Sequence, residues 1–130
     1  MVIDTSAIVA LIEAEPEAES LGAALARDER RLVSAVSVLE AAIVLESRRP
    51  TTGRAALDRF ISSLAFEVVA FDADQLAVAR DGFRRYGRGR PSKARLNFGD
   101  CCSYALARAR DEPLLFVGDD FVHTDIVPAA

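Results

Sequence analysis

The stretch Met1-Val-Ile-Asp-Thr-Ser6 decides how the chain is read. Two β-branched residues run into an acid, then come two small hydroxyl residues and a helical pattern, so Asp4 stands where a strand becomes a helix. In an open α/β sheet, ligands gather outside the carboxyl ends of the strands, and helix N-termini point to the same place. What matters next is whether other acids reach that edge.

Working outward, the spacing predicts a short, nearly all-apolar helix over Ser6 to Ile12, then a restart at Glu15-Pro16 into a more exposed helix over Glu17 to Ala26. Leu32-Val33-Ser34 is a short strand. Ser37-Val-Leu-Glu40 then matches a capping box at the head of a helix running to Ser47, which gives Glu40 two readings: a cap, or an acid delivered to the strand edge. Helical spacing returns over Ala55 to Leu64, and Phe66 to Phe71 is rich in strand formers. Asp72 reads as the cap of a helix over Asp74 to Tyr86. After the loop Gly87 to Lys93, Asn97 caps a helix to about Arg110, with Asp100 in its first turn, where capping and dipole stabilisation also account for it. Leu114 to Val117 is a buried strand that ends in Gly118-Asp119-Asp120, and Ile126-Val127 suggests one more short strand.

Strands alternating with helices in this order favour a mostly parallel sheet of four to five strands covered on both faces, a three-layer α/β/α domain. The 130 residues fit one domain over 1–130, and 51% apolar content is enough for a core. No charged and apolar leader opens the chain and no apolar run is long enough to cross a bilayer, so no membrane association and a cytoplasmic location are expected. Cys101 and Cys102 are neighbours on a helix, where side chains point about 100° apart, so they are expected to be free, buried thiols and not a redox pair.

A net charge of -4 argues against a simple electrostatic nucleic-acid binder, but its distribution does not. Arg80, Arg84, Arg85, Arg88, Arg90, Lys93 and Arg95 face the single acid Asp81 in one strip. Arg84 and Arg85 are equally well solvated helix positions, whereas the strip as a whole suits a polyanion's backbone.

Parallel connections bring Asp4, Glu40, Asp100 and the pair Asp119/Asp120 to one end of the sheet. Several carboxylates sharing a small site raise one another's pKa, and a hard divalent cation relieves that repulsion. Oxygen-only donors without a His/Cys cluster suit Mg²⁺ or Mn²⁺ far better than zinc. Such a cation can activate water and neutralise charge as a phosphodiester is attacked, which makes a metal-dependent nuclease the leading expectation. His123, the only histidine, lies past the last acid in a polar turn and is not expected to act as a base. Two other readings remain. One is a non-catalytic binding module whose acids are caps. The other is a phosphotransfer domain with a strand-end aspartate, which lacks an Asp-x-Asp after the first strand and a lysine after the last long one.

The motifs M-V-I-D-T-S-A at residues 1–7, S-V-L-E at 37–40, N-F-G-D-C-C-S-Y-A-L-A at 97–107 and L-L-F-V-G-D-D-F at 114–121 resemble, in order and spacing, the four acidic motifs of PIN-domain ribonucleases of the VapC toxin type. The resemblance covers essentially the full length. It implies that Asp4 and Asp100 are the principal metal ligands, that Glu40 ligates or supports, and that the fourth acid is Asp120 more than Asp119, because family members keep the acid directly before Phe. It further implies that Thr5 and Ser6 support the first acid, that RNA is the substrate, and that the protein is a homodimer inhibited by a cognate VapB-type antitoxin.

Overall fold

Side-chain alternation along four very short strands organises the molecule. In the computed structural model, which describes residues 1–130, β1 (Val2–Ile3) sends Val2 into one apolar cluster and Ile3 into another on the opposite face of the sheet. Strands β2 (Leu32–Ser34) and β4 (Leu114–Leu115) divide in the same way, with Leu32 and Leu114 on the side of Val2 and Val33 and Leu115 on the side of Ile3. This is the period of two expected of strands buried on both faces.

With β3 (Glu67–Val69) the sheet has the order β3-β2-β1-β4, and every pair is parallel. Val2 is in register with Leu32 on one side and with Leu114 on the other. The chain moves outward from β1 to β2 to β3 and then returns to the other side of β1. Right-handed crossovers therefore place the first four helices on one face and the last two on the other. The first face carries α1 (Thr5–Glu13), α2 (Ala18–Ala26), α3 (Ala35–Arg48) and α4 (Gly53–Ser63), whose apolar residues pack with Ile3, Val33 and Leu115. The second carries α5 (Ala73–Tyr86) and α6 (Phe98–Arg110), packed with Val2, Leu32 and Leu114. The reversal of direction falls between β1 and β4, so Asp4, directly after β1, lies at the switch point where such sheets bind ligands.

Four expectations change in detail. The strand over Phe66 to Phe71 contracts to Glu67–Val69, because the backbone leaves the ladder to set up Asp72 as N-cap of α5, where its side chain accepts from Gln75 N at 2.9 Å. The strand over Leu114 to Val117 stops at Leu115, and the Val117 N–H donates to Ser6 Oγ at 3.0 Å. Ile126-Val127 forms no strand. The chain there makes one parallel bridge, Leu114 with Pro128, through bonds from Leu114 N to Val127 O and from Ala129 N to Leu114 O, each 2.9 Å. Helix α3 begins earlier than the Ser37 motif suggests, since Ser34, at the end of β2, is its N-cap and accepts from Val36 N at 3.3 Å. No helix is long and apolar enough to cross a membrane.

Candidate active site

Asp4 is the N-cap of α1 and is buried. Its Oδ2 accepts from Ser6 N at 2.9 Å and from Ser6 Oγ at 2.6 Å. Thr5 makes no hydrogen bond to Asp4. Its hydroxyl turns toward α3 and donates to Glu40 Oε2 at 2.7 Å. Adjacent residues at a helix start point in different directions, which lets one dipeptide hold two different acids.

Glu40 is no capping-box residue. With Ser34 as cap, it is the sixth residue of α3 and stands beyond reach of the helix's free N–H groups. Its carboxylate lies against Gly99, in the first turn of α6. A Cβ on Gly99 would overlap both carboxylate oxygens, so any larger residue there obliges the end of the Glu40 side chain to move.

Asp100 satisfies both of its readings at once. Asn97 Oδ1 accepts from Asp100 N at 2.9 Å while Asp100 Oδ2 accepts from Asn97 N at 2.8 Å, a complete capping box. The same carboxyl faces the other acids. Burial, opposed by the Asn97 backbone bond and reinforced by the charges of Asp4, Asp120 and Glu40, pushes its pKa up to about 7. Asp4, Glu40, Asp100 and Asp120 thus share one electrostatic neighbourhood at the carboxyl end of the sheet. Asp119 is exposed, and its charge is not among those acting on Asp100.

Two residues that the sequence reading did not credit with a role at the site complete its frame. Ser103 Oγ donates to Asp4 Oδ1 at 2.6 Å, and Ser37 Oγ lies 3.1 Å from Ser103 Oγ. A signal existed for Ser103, a small hydroxyl in the largely apolar run Cys101 to Ala107, since a buried polar group demands a partner.

A model of the PIN domain family matches residues 1–127. The chain belongs to the PIN-domain family. Within it the chain sits among the VapC-type toxins. It is 49% identical over 130 residues to ribonuclease VapC30 of Mycobacterium tuberculosis, covering 100% of this chain and 98% of that one. It is 51% identical over 126 residues to ribonuclease VapC of Mycolicibacterium smegmatis, covering 97% of each. The fold resembles the crystal structure of Mycobacterium tuberculosis VapC20, described as a toxin that cleaves the sarcin-ricin loop, with a TM-score of 0.79, 19% identity, and coverage of 97% of this chain and 95% of that one.

The donor set of this PIN domain fits a hard divalent cation in chemistry: oxygen donors only, like charges already crowding one another, and a carboxyl whose raised pKa an adjacent cation would bring down. As arranged, no three of these acids are placed to hold one metal ion together. Magnesium commonly keeps several waters and takes only one or two carboxylates, so a cage is not required.

The basic strip divides in two. Arg84 pairs with Asp81 at 2.5 Å, and Arg85 pairs with Asp125 at 3.1 Å while stacking 4.6 Å above the Tyr86 ring. Asp125 also accepts from Tyr104 OH at 3.0 Å, so Arg85 belongs to a network that ties the C-terminal loop to α5 and α6. Arg88, Arg90, Lys93 and Arg95 are exposed and form no ion pair, although Arg88 Nε donates to Arg95 O at 3.3 Å and Arg90 lies 5.2 Å over the Phe83 ring. His123 is exposed. Cys101 and Cys102 are free and buried, and burial pushes both thiols up to about 11, which leaves them inert.

Proposed function

We propose that this chain is an endoribonuclease dependent on Mg²⁺ or Mn²⁺, the toxin of a VapBC-type pair, acting in the cytoplasm as a homodimer and restrained by a VapB-type antitoxin. The observation that carries the reading is Asp100, a carboxyl pushed up to about 7 by burial and by Asp4, Asp120 and Glu40 together. Free-standing caps have no reason to converge in this way. Relatives named VapC ribonucleases support the activity, and the solved VapBC2 complex of Rickettsia felis, at a TM-score of 0.73 and 17% identity with 98% of this chain and 94% of that one covered, has the same fold.

Asp4 and Asp100 would hold the cation directly, with Glu40 ligating or supporting it through water, Asp120 as the fourth acid and Asp119 outside the cluster. When bound, the cation supplies a water of lowered pKa and neutralises the charge that builds on the phosphodiester. The chain's own residues do the rest. Ser6 and Ser103 fix the Asp4 carboxylate, Thr5 fixes Glu40, and Asn97 fixes Asp100. The side chains of Arg88, Arg90, Lys93 and Arg95 meet the RNA backbone at the rim and set its register. Arg84 and Arg85, already paired, contribute less.

The capping-box geometry of Asp100 keeps a second reading in play, a binding module with structural acids. One experiment separates them. Cleavage of a structured RNA should require Mg²⁺ or Mn²⁺, stop on addition of EDTA, and vanish in Asp4→Asn while the circular dichroism spectrum is retained. Cleavage that continues in EDTA would overturn the metal-dependent reading. No cleavage by the wild-type chain, together with no rise in melting temperature on adding Mn²⁺, would favour the binding module.

A further inference from the structure

Ser37 in α3 and Ser103 in α6 are both fully buried, and together they join the helices that deliver Glu40 and Asp100. Each serine lies three residues from its acid, on neighbouring ground of the helix surface. Ser103 Oγ donates to Asp4 Oδ1 at 2.6 Å. A serine has one hydrogen to give, so in the 3.1 Å contact between the two hydroxyls Ser37 must be the donor. The bonds therefore run in one direction, from Ser37 to Ser103 to Asp4. On the other side the Val117 N–H donates to Ser6 Oγ at 3.0 Å, and Ser6 Oγ donates onward to Asp4 Oδ2 at 2.6 Å.

Two oriented relays thus converge on one carboxylate. Such a group offers about four lone-pair directions. Ser6 N and Ser6 Oγ take both on Oδ2, and Ser103 takes one on Oδ1.

We infer that Ser103, backed by Ser37, is a positioning residue that leaves Asp4 a single free oxygen direction, on Oδ1, with which to ligate a divalent cation. The inference rests on the metal-dependent reading above. It makes Asp4 a one-oxygen ligand of fixed direction, and it makes the spacing of α3 and α6 part of the metal site.

The test is Mn²⁺ binding to the full chain, measured by calorimetry or by loss of the free-ion electron paramagnetic resonance signal, alongside steady-state RNA cleavage. Ser103→Ala should weaken Mn²⁺ binding about 10- to 100-fold, the range for groups that orient metal ligands. It should lower kcat and leave KM for RNA unchanged. Ser37→Ala, which spares the bond to Asp4, should shift Mn²⁺ affinity in the same direction by less. The double variant should be no worse than Ser103→Ala, because Ser37 acts only through Ser103. A folded Ser103→Ala with wild-type Mn²⁺ affinity overturns the inference and leaves the nuclease reading standing. If Ser103→Ala does not fold, unchanged Mn²⁺ affinity in Ser37→Ala overturns it instead, and additive losses in the double variant overturn the relay. A wild-type chain that binds no Mn²⁺ overturns both this inference and the reading beneath it.

Discussion

Helices α3 and α6 both carry an acid to the carboxyl end of the sheet, but from different turns. Asp100 comes from the first turn of α6, where it exchanges hydrogen bonds with the backbone and side chain of Asn97. Glu40 comes from the second turn of α3 and is held by a side chain of another helix, Thr5. One acid is pinned to its own backbone and buried, while the other is half-buried and tethered across an interface. Their environments differ accordingly. Asp100 bears the cost of desolvation and of its neighbours' charges, which leaves it the group with most to gain from a cation. A site built this way joins one rigid carboxylate to one that can adjust.

The largest test of that contrast is neutralisation. On the metal-dependent reading proposed above, Asp100→Asn should cut RNA cleavage by about 100-fold or more, since it would remove a principal ligand and several kcal/mol of charge stabilisation. Glu40→Gln should cut it by less, because an adjustable group is more easily replaced by water. Equal losses in single-turnover rates would erase the distinction between the two acids.

The same two helices show where sequence reading succeeds. Ser37-Val-Leu-Glu40 matches the capping-box pattern and Asn97-Phe-Gly-Asp100 only an N-cap followed by a first-turn acid, yet it is the second that forms the capping box. The pattern cannot tell that Ser34, the last residue of β2, already fills the cap position of α3. That is decided by where the strand ends, which depends on pairing with β3 and not on local preference. Asp4 was legible because a strand-to-helix junction is local. The convergence of Glu40 and Asp100 followed from topology, as parallel crossovers leave little choice of edge. Thr5's turn toward Glu40 and the Ser37 to Ser103 contact were not legible, because they depend on how two helices meet across the sheet. The basic strip was visible as composition, but which arginines are already paired was not, since Asp125 lies forty residues from Arg85.

The approach of the two helices can be broken directly. Gly99→Ala places a methyl group where the Glu40 carboxylate sits, so either Glu40 leaves Thr5 or α6 moves off. Because the obstacle is the end of a flexible side chain, the cost is at most that of the lost Thr5 hydrogen bond to a carboxylate, about 1.5–3 kcal/mol. Chemical denaturation should show the loss, and cleavage should fall with it. A stable, active Gly99→Ala would mean that Glu40 has no fixed place in the site. A smaller effect is expected from Asn97→Ala, which removes a true cap and should cost about 1 kcal/mol. Glu40→Gln should leave stability near that of the wild type, since no helix end depends on its charge. If the two variants changed places in a denaturation series, the capping roles assigned here would be reversed.

The smallest effect sharpens the contrast through pH. Asp100 has a folded-state pKa near 7, raised from the unfolded value of 3.8, so its proton is bound more tightly in the folded chain. The stability this contributes in the metal-free protein is present below the unfolded value and is lost as pH rises through about 7. Asparagine keeps an oxygen for the Asn97 N–H and never ionises. Asp100→Asn should therefore melt about 2–4 °C above the wild type at pH 8 and close to it at pH 4, with the cap bond and the open cleft mouth keeping the difference small. Adding Mn²⁺ at pH 8 should raise the wild-type melting temperature and reduce or reverse that gap, because the cation replaces the proton as the partner of Asp100. Parallel melting curves at both pH values would show that the crowding of acids around Asp100 has no energetic consequence, and the rigid half of the site would then be an ordinary helix cap.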